Sequence, residues 1–323
     1  MSDIEVVIPT IGRPSLAALL ASFGQGAETW PESIIIVDDR RDSSTSLELG
    51  PLSESLSSRI RVIKGKASGP ASARNVGWHN AAAPWIAFVD DDVIAHPGWF
   101  AQLREDLKAL GDRVAASQGN VRVPLPQNRK ATDWERNVAC LERAQWITAD
   151  MAYRRSVLQE VIGFDERFPR AFREDSDLAL RVIDSGYDIV KGARTILHPV
   201  RAADRWISVR LQAGNADDAL MQHRYGRKWR RRANDGASRF PQHLLTTACG
   251  AVALGAAACG ARQAALGAFL LWAGSTAHFA WQRIMPGPKT SHEVGTMLVT
   301  SAVIPFAAVY HRLFAQARLR LAR

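Results

Sequence analysis

The sequence predicts an α/β fold, a mostly parallel sheet with helices on both faces, followed by a C-terminal apolar helical region. Three observations carry that prediction. Short apolar runs rich in β-branched residues recur at 4–8, 33–37, 60–63 and 85–89, separated by segments of helical character, the pattern of βαβ units. Two of these runs end in consecutive acids, Asp38-Asp39 and Asp90-Asp91-Asp92. Asp is poor inside a strand, so the acids mark the strand ends where an open α/β sheet receives its ligands. Charge also divides the chain: residues 1–198 hold 24 Lys+Arg and 27 Asp+Glu, whereas residues 199–323 hold 17 and 5.

The first strand, 4–8, ends at Pro9-Thr10-Ile11-Gly12-Arg13-Pro14, a loop by its Pro and Gly content. Ser15 is positioned to cap an apolar helix over 16–23. The second strand follows at 33–37, then a Ser-rich loop and short helix over 42–58, and a third strand at 60–63. Gly69-Pro70 starts a helix through Gly77, and the strand at 85–89 runs into the three acids. Further helices are expected over 98–110, 134–144, 154–162 and 174–183, with strands over 114–123, 146–151 and 187–191.

Three carboxylates crowded at one strand end repel one another unless a hard cation sits among them. Mg²⁺ typically takes one or two carboxylates plus substrate phosphates, so the acid run suggests a metal–diphosphate site; its structural alternative is a solvated acidic turn. Three cysteines, Cys140, Cys249 and Cys259, form no disulfide framework and fit a reducing compartment. No charged-then-apolar leader precedes the first strand, so the N-terminal region is expected in the cytoplasm.

Five pieces, Val7-Ile8-Pro9-Thr10, Ile36-Val37-Asp38-Asp39, Ser72-Ala73-Arg74-Asn75-Val76-Gly77, Phe88-Val89-Asp90-Asp91-Asp92 and Gly163-Phe164-Asp165-Glu166 with Glu174-Asp175, occur in the order and rough spacing of glycosyltransferase family two. The chain resembles that family over about residues 1–200, and the resemblance implies the GT-A fold and a nucleotide-sugar donor. It implies a nucleotide-sugar group of Pro9, Thr10, Arg13, Asp38, Asp39, Arg74, Asp90 and Asp91. Asp38 or Asp39 would accept a hydrogen bond from a base ring N–H, which uracil and guanine both offer, so the donor is a UDP- or GDP-sugar; the alternative for either acid is an Asx-turn. Arg74, after the Gly-Pro turn, would face the diphosphate, or else pair with an Asp of the same crevice. Asp90 would meet the ribose or the metal, Asp92 would ligate a divalent cation, Mg²⁺ or Mn²⁺, and His198 would complete its shell. Asp91 is expected to turn away from the ion, since neighbouring side chains in extended chain alternate. Inverting transfer needs a base for the acceptor hydroxyl. The resemblance implies Asp175, with Glu174 as its neighbour or understudy in catalysis, against a purely structural role at a helix start. Asp150, at a strand end, is a candidate for binding acceptor.

The C-terminal third carries Arg227-Lys228-Trp229-Arg230-Arg231-Arg232 and apolar runs at 244–261, 264–281 and 294–310. Cations beside apolar runs favour an anionic membrane surface, and the first two runs are expected to form a membrane hairpin with the catalytic domain on the cytoplasmic side of an inner membrane; a soluble Ala-rich bundle is the alternative. The expected division is a catalytic domain over 1–205, a basic helical linker over 206–240 and a membrane-associated region over 241–323. The acceptor would then be a glycan or lipid-linked molecule of the cell envelope. Two enzyme-free readings compete: a scaffold that kept the fold, disfavoured by the intact acids, and a nucleic-acid binder, for which no groove-reading motif is visible. A sugar nucleotidyltransferase would need a more Gly-rich first loop than Pro9-Thr10-Ile11-Gly12-Arg13.

Overall fold

The structure is a computed structural model that describes residues 3–25, 29–108 and 110–321. The chain divides into two compact units, Met1–Pro124 with Ala139–Val200, and Leu125–Val138 with Arg201–Arg323.

The first unit is built on strands β1 Ile4–Thr10, β2 Ser33–Asp38, β3 Ile60–Lys64, β4 Trp85–Val89, β5 Ile94–Ala95, β6 Val114–Arg122, β7 Asp150–Arg154 and β8 Asp188–Leu197. They form one sheet in the order β3-β2-β1-β4-β7-β6-β8-β5. β1, β2, β3 and β4 pair in parallel, β7 is antiparallel to both β4 and β6, and β6 pairs in parallel with β8. β1, β2 and β4 are buried along their whole length, which is why their sequences read as continuous apolar runs. Pairing of β1 with β4 stops at Val7 opposite Phe88. Pro9, two residues on, has no N–H to continue that ladder, and the two strand ends part there.

Helices α1 Ser15–Phe23, α2 Glu54–Ser57, α3 Pro70–His79, α4 Trp99–Lys108, α5 Asp133–Ala139, α6 Arg155–Glu160 and α7 Glu174–Asp184 follow the predicted order. α3 lies so close to the sheet that a Cβ on Gly77 would stand 2.2 Å from Val7 Cγ1. Several boundaries differ from expectation. Ser15 is the first helical residue, with Pro14 as N-cap and no side-chain cap. The strand expected at 146–151 begins only at Asp150, because Trp146 has φ +64, which extended chain does not allow. β8 runs on to Leu197, past Gly192, through a register shift opposite Gln118 and Asn120. The two-residue β5 is too short to leave a periodic signal. Ala109, within the expected helix over 98–110, lies outside the described residues.

The second unit is helical. α8 Ile207–Arg210, α9 Gly214–Tyr225, α10 Trp229–Arg232, α11 Phe240–Ala258, α12 Arg262–Ile284 and α13 Ser291–Leu321 make it up together with residues 125–138. Arg283 is its buried hub, donating to Asp133 Oδ2 at 2.8 Å, Thr300 Oγ1 at 2.8 Å and Ser301 Oγ at 3.0 Å. Trp229 of the basic run is a core residue, 2% exposed, with Arg230 over its ring and paired to Asp218 and Asp235. Among the described residues one helix, α13, is long and apolar enough to cross a membrane, with 39% of its apolar window buried in the protein. The expected hairpin of two spans is therefore not supported: α11 opens with Pro241-Gln242-His243, and α12 carries Arg262, Gln263, His278 and Arg283.

Candidate active site

The C-terminal ends of β2 and β4 carry the candidate acids, beside the end of β1 at Thr10. At the β2 end, Asp38 is held bidentately by Arg40, Nε to Oδ1 at 2.8 Å and Nη2 to Oδ2 at 2.7 Å, which lowers its pKa. Asp39 is different. Its Oδ2 accepts the Gly69 N–H at 2.9 Å, while its Oδ1 is buried without a hydrogen-bond partner among the described residues. Asp39 lines a cavity of about 630 Å³ with Ile11, Arg41, Gly69 and Pro169. Gly69 has φ +97, and a Cβ there would lie 2.6 Å from the Pro169 carbonyl oxygen, so only glycine fits this wall. Of the two alternatives at this strand end, Asp39 has the unfilled acceptor.

Asp91 does not face this cavity. It is 2% exposed, takes the Thr10 hydroxyl on Oδ2 at 2.6 Å and pairs through Oδ1 with Arg13 Nη1 at 2.7 Å. Thr10 Oγ1 in turn accepts the Gly12 N–H at 3.0 Å. Thr10, Arg13 and Asp91, expected among the nucleotide ligands, instead clamp the loop after β1 to the turn after β4. Pro9 is likewise buried in β1, opposite Val37.

Arg74 takes the second of its two expected roles, a pair with an Asp of the same crevice. It is the fifth residue of α3, 1% exposed, and bridges two carboxylates: Nη2 to Asp90 Oδ1 and Nη1 to Glu174 Oε1, both at 2.8 Å. One guanidinium thus ties the end of β4 to the first turn of α7. That turn gathers Glu174, Asp175 and Asp177 at the helix N-terminus, where the dipole favours negative charge. Burial pushes the Glu174 carboxyl up to about 8, with the neighbouring Asp175 charge adding to the rise and Arg74 opposing it. Asp175 is raised too, chiefly by burial; the Ser176 N–H, Arg74 and Arg173 oppose the rise, and Asp90 adds to it. Asp90 and Asp175 therefore lie within electrostatic reach of one another. The Tyr153 hydroxyl, which sequence reading missed, is buried without a partner among the described residues and feels the Asp175 charge.

Asn75 explains two more of the sequence pieces. Its Oδ1 accepts the Phe164 N–H and Trp78 Nε1–H, and its Nδ2 donates to the Phe164 carbonyl, all at 2.9 Å. Gly163, at φ +59, packs so tightly here that a Cβ would fall 2.6 Å from Asn75 Oδ1. The Gly163–Glu166 turn is thereby fastened to α3, beside Arg74.

Asp92 Oδ1 stands 3.6 Å from His198 Nε2, and His198 Nδ1 is buried with no partner among the described residues. A carboxylate oxygen and an imidazole nitrogen held this close are both common ligands of divalent ions. The pair fits a divalent ion completed by substrate oxygens, although no group of three His, Cys, Asp or Glu side chains suited to a metal occurs among the described residues. Asp150, proposed from sequence to bind acceptor, is corrected by its surroundings. It is fully buried, with Oδ2 taken by Trp99 Nε1 at 2.8 Å and Oδ1 by Arg194 Nε at 2.7 Å, leaving no face for a substrate.

A domain model described as glycosyl transferase family 2 matches residues 5–177, more than half of the chain. The chain belongs to glycosyl transferase family 2. Among solved structures, the mannosyltransferase PcManGT from Pyrobaculum calidifontis in complex with GDP-Man and Mn²⁺ is similar at TM-score 0.54 and 16% identity, over 96% of this chain and 87% of that one. Glucosyl-3-phosphoglycerate synthase from Mycobacterium tuberculosis, solved with Mn²⁺, UDP-glucose and phosphoglyceric acid, aligns at TM-score 0.47 and 18% identity over 73% and 81% of the two chains. No curated protein matches the sequence. The family 2 match and the sheet order establish a GT-A glycosyltransferase. Three of its five sequence pieces, those holding Arg74 and Asn75, Asp90, and Phe164 with Glu174, are bonded to one another.

Proposed function

We propose that this family 2 enzyme moves a sugar, with inversion, from a nucleoside-diphosphate donor to the hydroxyl of a membrane-associated acceptor. One observation carries the reading: Arg74 joins Asp90 to Glu174, so the strand-end acids and the first turn of α7 share one site. Asp39, with its unfilled buried oxygen, receives the ring N–H of a uracil or guanine base. Asp90, whose side chain is 27% exposed, meets the ribose. Asp92 and His198 would hold a divalent cation, which would supply charge neutralisation for the departing diphosphate.

Asp175 is the base. The acceptor oxygen bonds to the anomeric carbon as its proton passes to the Asp175 carboxylate. The bond from that carbon to the diphosphate oxygen breaks, and its electron pair leaves with the nucleoside diphosphate. Glu174 is occupied by Arg74 and positions the helix start. Partial burial suits Asp175 to this role, because a raised pKa makes a carboxylate a stronger base. Membrane proximity rests on α13 and on the exposed apolar side chains of the second unit.

The deciding test is a screen of UDP- and GDP-sugars with Mg²⁺ or Mn²⁺, reading released nucleoside diphosphate. Release from one donor class, dependent on metal and lost in Asp92→Ala, is expected. Silence with every donor, from folded enzyme with metal present, defeats the assignment. Recovery of the protein in the supernatant after carbonate extraction would remove stable membrane insertion and leave the transfer reading intact.

A further inference from the structure

The second unit contains a cavity of about 610 Å³ bounded by residues of α5, α8, α9, α11, α12 and α13. Its carboxylates are already engaged. Asp133 meets Arg283 and Arg136, Asp204 meets Arg210, Asp218 meets Arg230, and Glu293 accepts the Asp133 N–H at 2.7 Å. Arg239 has no such partner. Among the described residues it makes no ion pair, donating only to Gln282 Oε1 at 3.3 Å and lying over the Phe279 ring. His243 is buried, packs edge-on against Phe279, and among the described residues neither of its ring nitrogens has a hydrogen-bond partner. Neither nitrogen is among the buried atoms left without a partner, so the polar edge of the ring opens onto the chamber, where a ligand or water can meet it.

A smaller cavity of about 160 Å³ shares His243, Phe279 and Gln282 with the first and extends to Leu245, Thr276 and Pro305. Thr276 Oγ1 is buried there, also without a partner among the described residues. Outside, Leu245, Leu254, Leu266, Leu270 and Leu271 of α11 and α12 are each more than half exposed. An uncovered apolar face on this scale marks a lipid or protein contact. A polar chamber with an uncompensated guanidinium, continuous with a passage between apolar helices, matches the two halves of an amphiphile.

We propose that this chamber binds the phosphate-bearing headgroup of an anionic lipid, with Arg239 and His243 as its ligands and the acyl chains lying on α11 and α12. A charge-assisted bond from Arg239 to phosphate and a hydrogen bond from His243 would complete both side chains. The site belongs to the second unit, and its occupation can be read without turnover.

The test uses the full chain in neutral detergent, titrated calorimetrically with short-chain phosphatidic acid, short-chain phosphatidylcholine and inorganic phosphate. Saturable binding of phosphatidic acid is expected, at least about a hundredfold tighter than either of the others. Arg239→Glu and His243→Phe should each weaken it by roughly tenfold or more, the worth of one lost charged or buried hydrogen bond. Arg231→Glu combined with Arg232→Glu, in the exposed basic run, should leave it within about twofold, since surface charge is screened. Should His243→Phe fail to fold, Arg239→Glu decides, because Arg239 is exposed and holds little in place. Equal affinity for inorganic phosphate overturns the lipid assignment, and equal affinity for phosphatidylcholine overturns the anionic one. Absence of saturable binding, or an affinity that follows Arg231 and Arg232 but not Arg239, overturns the site.

Discussion

Two arginines in the first unit, Arg74 and Arg194, are both 1% exposed and both bridge a pair of acids. Arg194 reaches Asp150 through Nε at 2.7 Å and Asp106 through Nη1 at 3.0 Å, and spends its remaining donors on the Ser117 hydroxyl and carbonyl. Asp150 is filled from its other side by Trp99, and Asp106 Oδ1 accepts the Ala193 N–H. Arg74 reaches Asp90 and Glu174, but its Nε, Glu174 Oε2 and the nearby Tyr153 hydroxyl are buried with no partner among the described residues. A buried polar group without a partner costs roughly 1–3 kcal/mol. Folding alone would favour the closed network; the open one is what a site awaiting ligand looks like. The difference separates acids that hold the sheet together from acids available for chemistry, although Asp150 and Asp90 both read as plain Asp at strand ends in the sequence.

The largest effects should come from the open network. Asp175→Asn keeps the shape and removes the base, so kcat is expected to fall by about 10²–10⁴-fold, the usual worth of a general base, with the thermal midpoint held near wild type. Asp92→Ala should abolish metal-dependent turnover in the same assay. Near wild-type turnover in either variant would remove that residue from the mechanism.

The closed network should fail in the opposite way. Asp150→Ala strands the buried Arg194 charge and is expected to cost about 3–5 kcal/mol of unfolding free energy in urea, while the folded fraction keeps its acceptor KM. A raised acceptor KM with unchanged stability would return Asp150 to the substrate site.

The pH profile sharpens the comparison further. A base works only when ionised, and burial raises the Asp175 pKa. The acid limb of kcat should therefore lie above the ordinary aspartate range, with activity lost as pH falls through the raised value. A limb at the pKa of an exposed Asp would show that a different, solvated carboxylate takes the proton.

Much of this was legible in the sequence, for reasons that also mark the limits. Strands buried on both faces write themselves as apolar runs, so β1, β2 and β4 were visible, as were the acidic ends of β2 and β4 and the strand–helix alternation around them. Partners far apart in sequence were not. Nothing local in Asp150 announces Trp99 and Arg194, and nothing in Asp91 announces Arg13, because each bond spans dozens of residues. Arg74 carried two readings, a diphosphate contact or a pair with an Asp of the same crevice; the structure shows the pair, with Asp90, and adds Glu174, a hundred residues on, which nothing local announces. Arg40 locking Asp38, two residues away, was within reach of local reasoning and would have favoured Asp39 as the base-reading acid. In the second unit, composition alone suggested two membrane spans, but among the described residues only α13 is long and apolar enough to cross a membrane, and the last turn of α12 holds a buried Arg283 bonded to Asp133.

The smallest expected effect tests the clamp after β1. Thr10 was first placed against the nucleoside, yet its hydroxyl donates to Asp91 at 2.6 Å and accepts the Gly12 N–H. Thr10→Val preserves shape and deletes both bonds, while Arg13 still neutralises Asp91. The loss should be about 1–2 kcal/mol in urea unfolding, the net worth of one or two hydrogen bonds, one of them to a charge, with donor KM changed by less than about threefold, under 1 kcal/mol of binding. If Thr10 instead faced the donor, stability would hold and the donor KM would rise by an order of magnitude or more, as expected when a buried polar contact to substrate is lost. The two outcomes move different observables, so this one conservative variant decides whether the end of β1 is scaffold or binding surface.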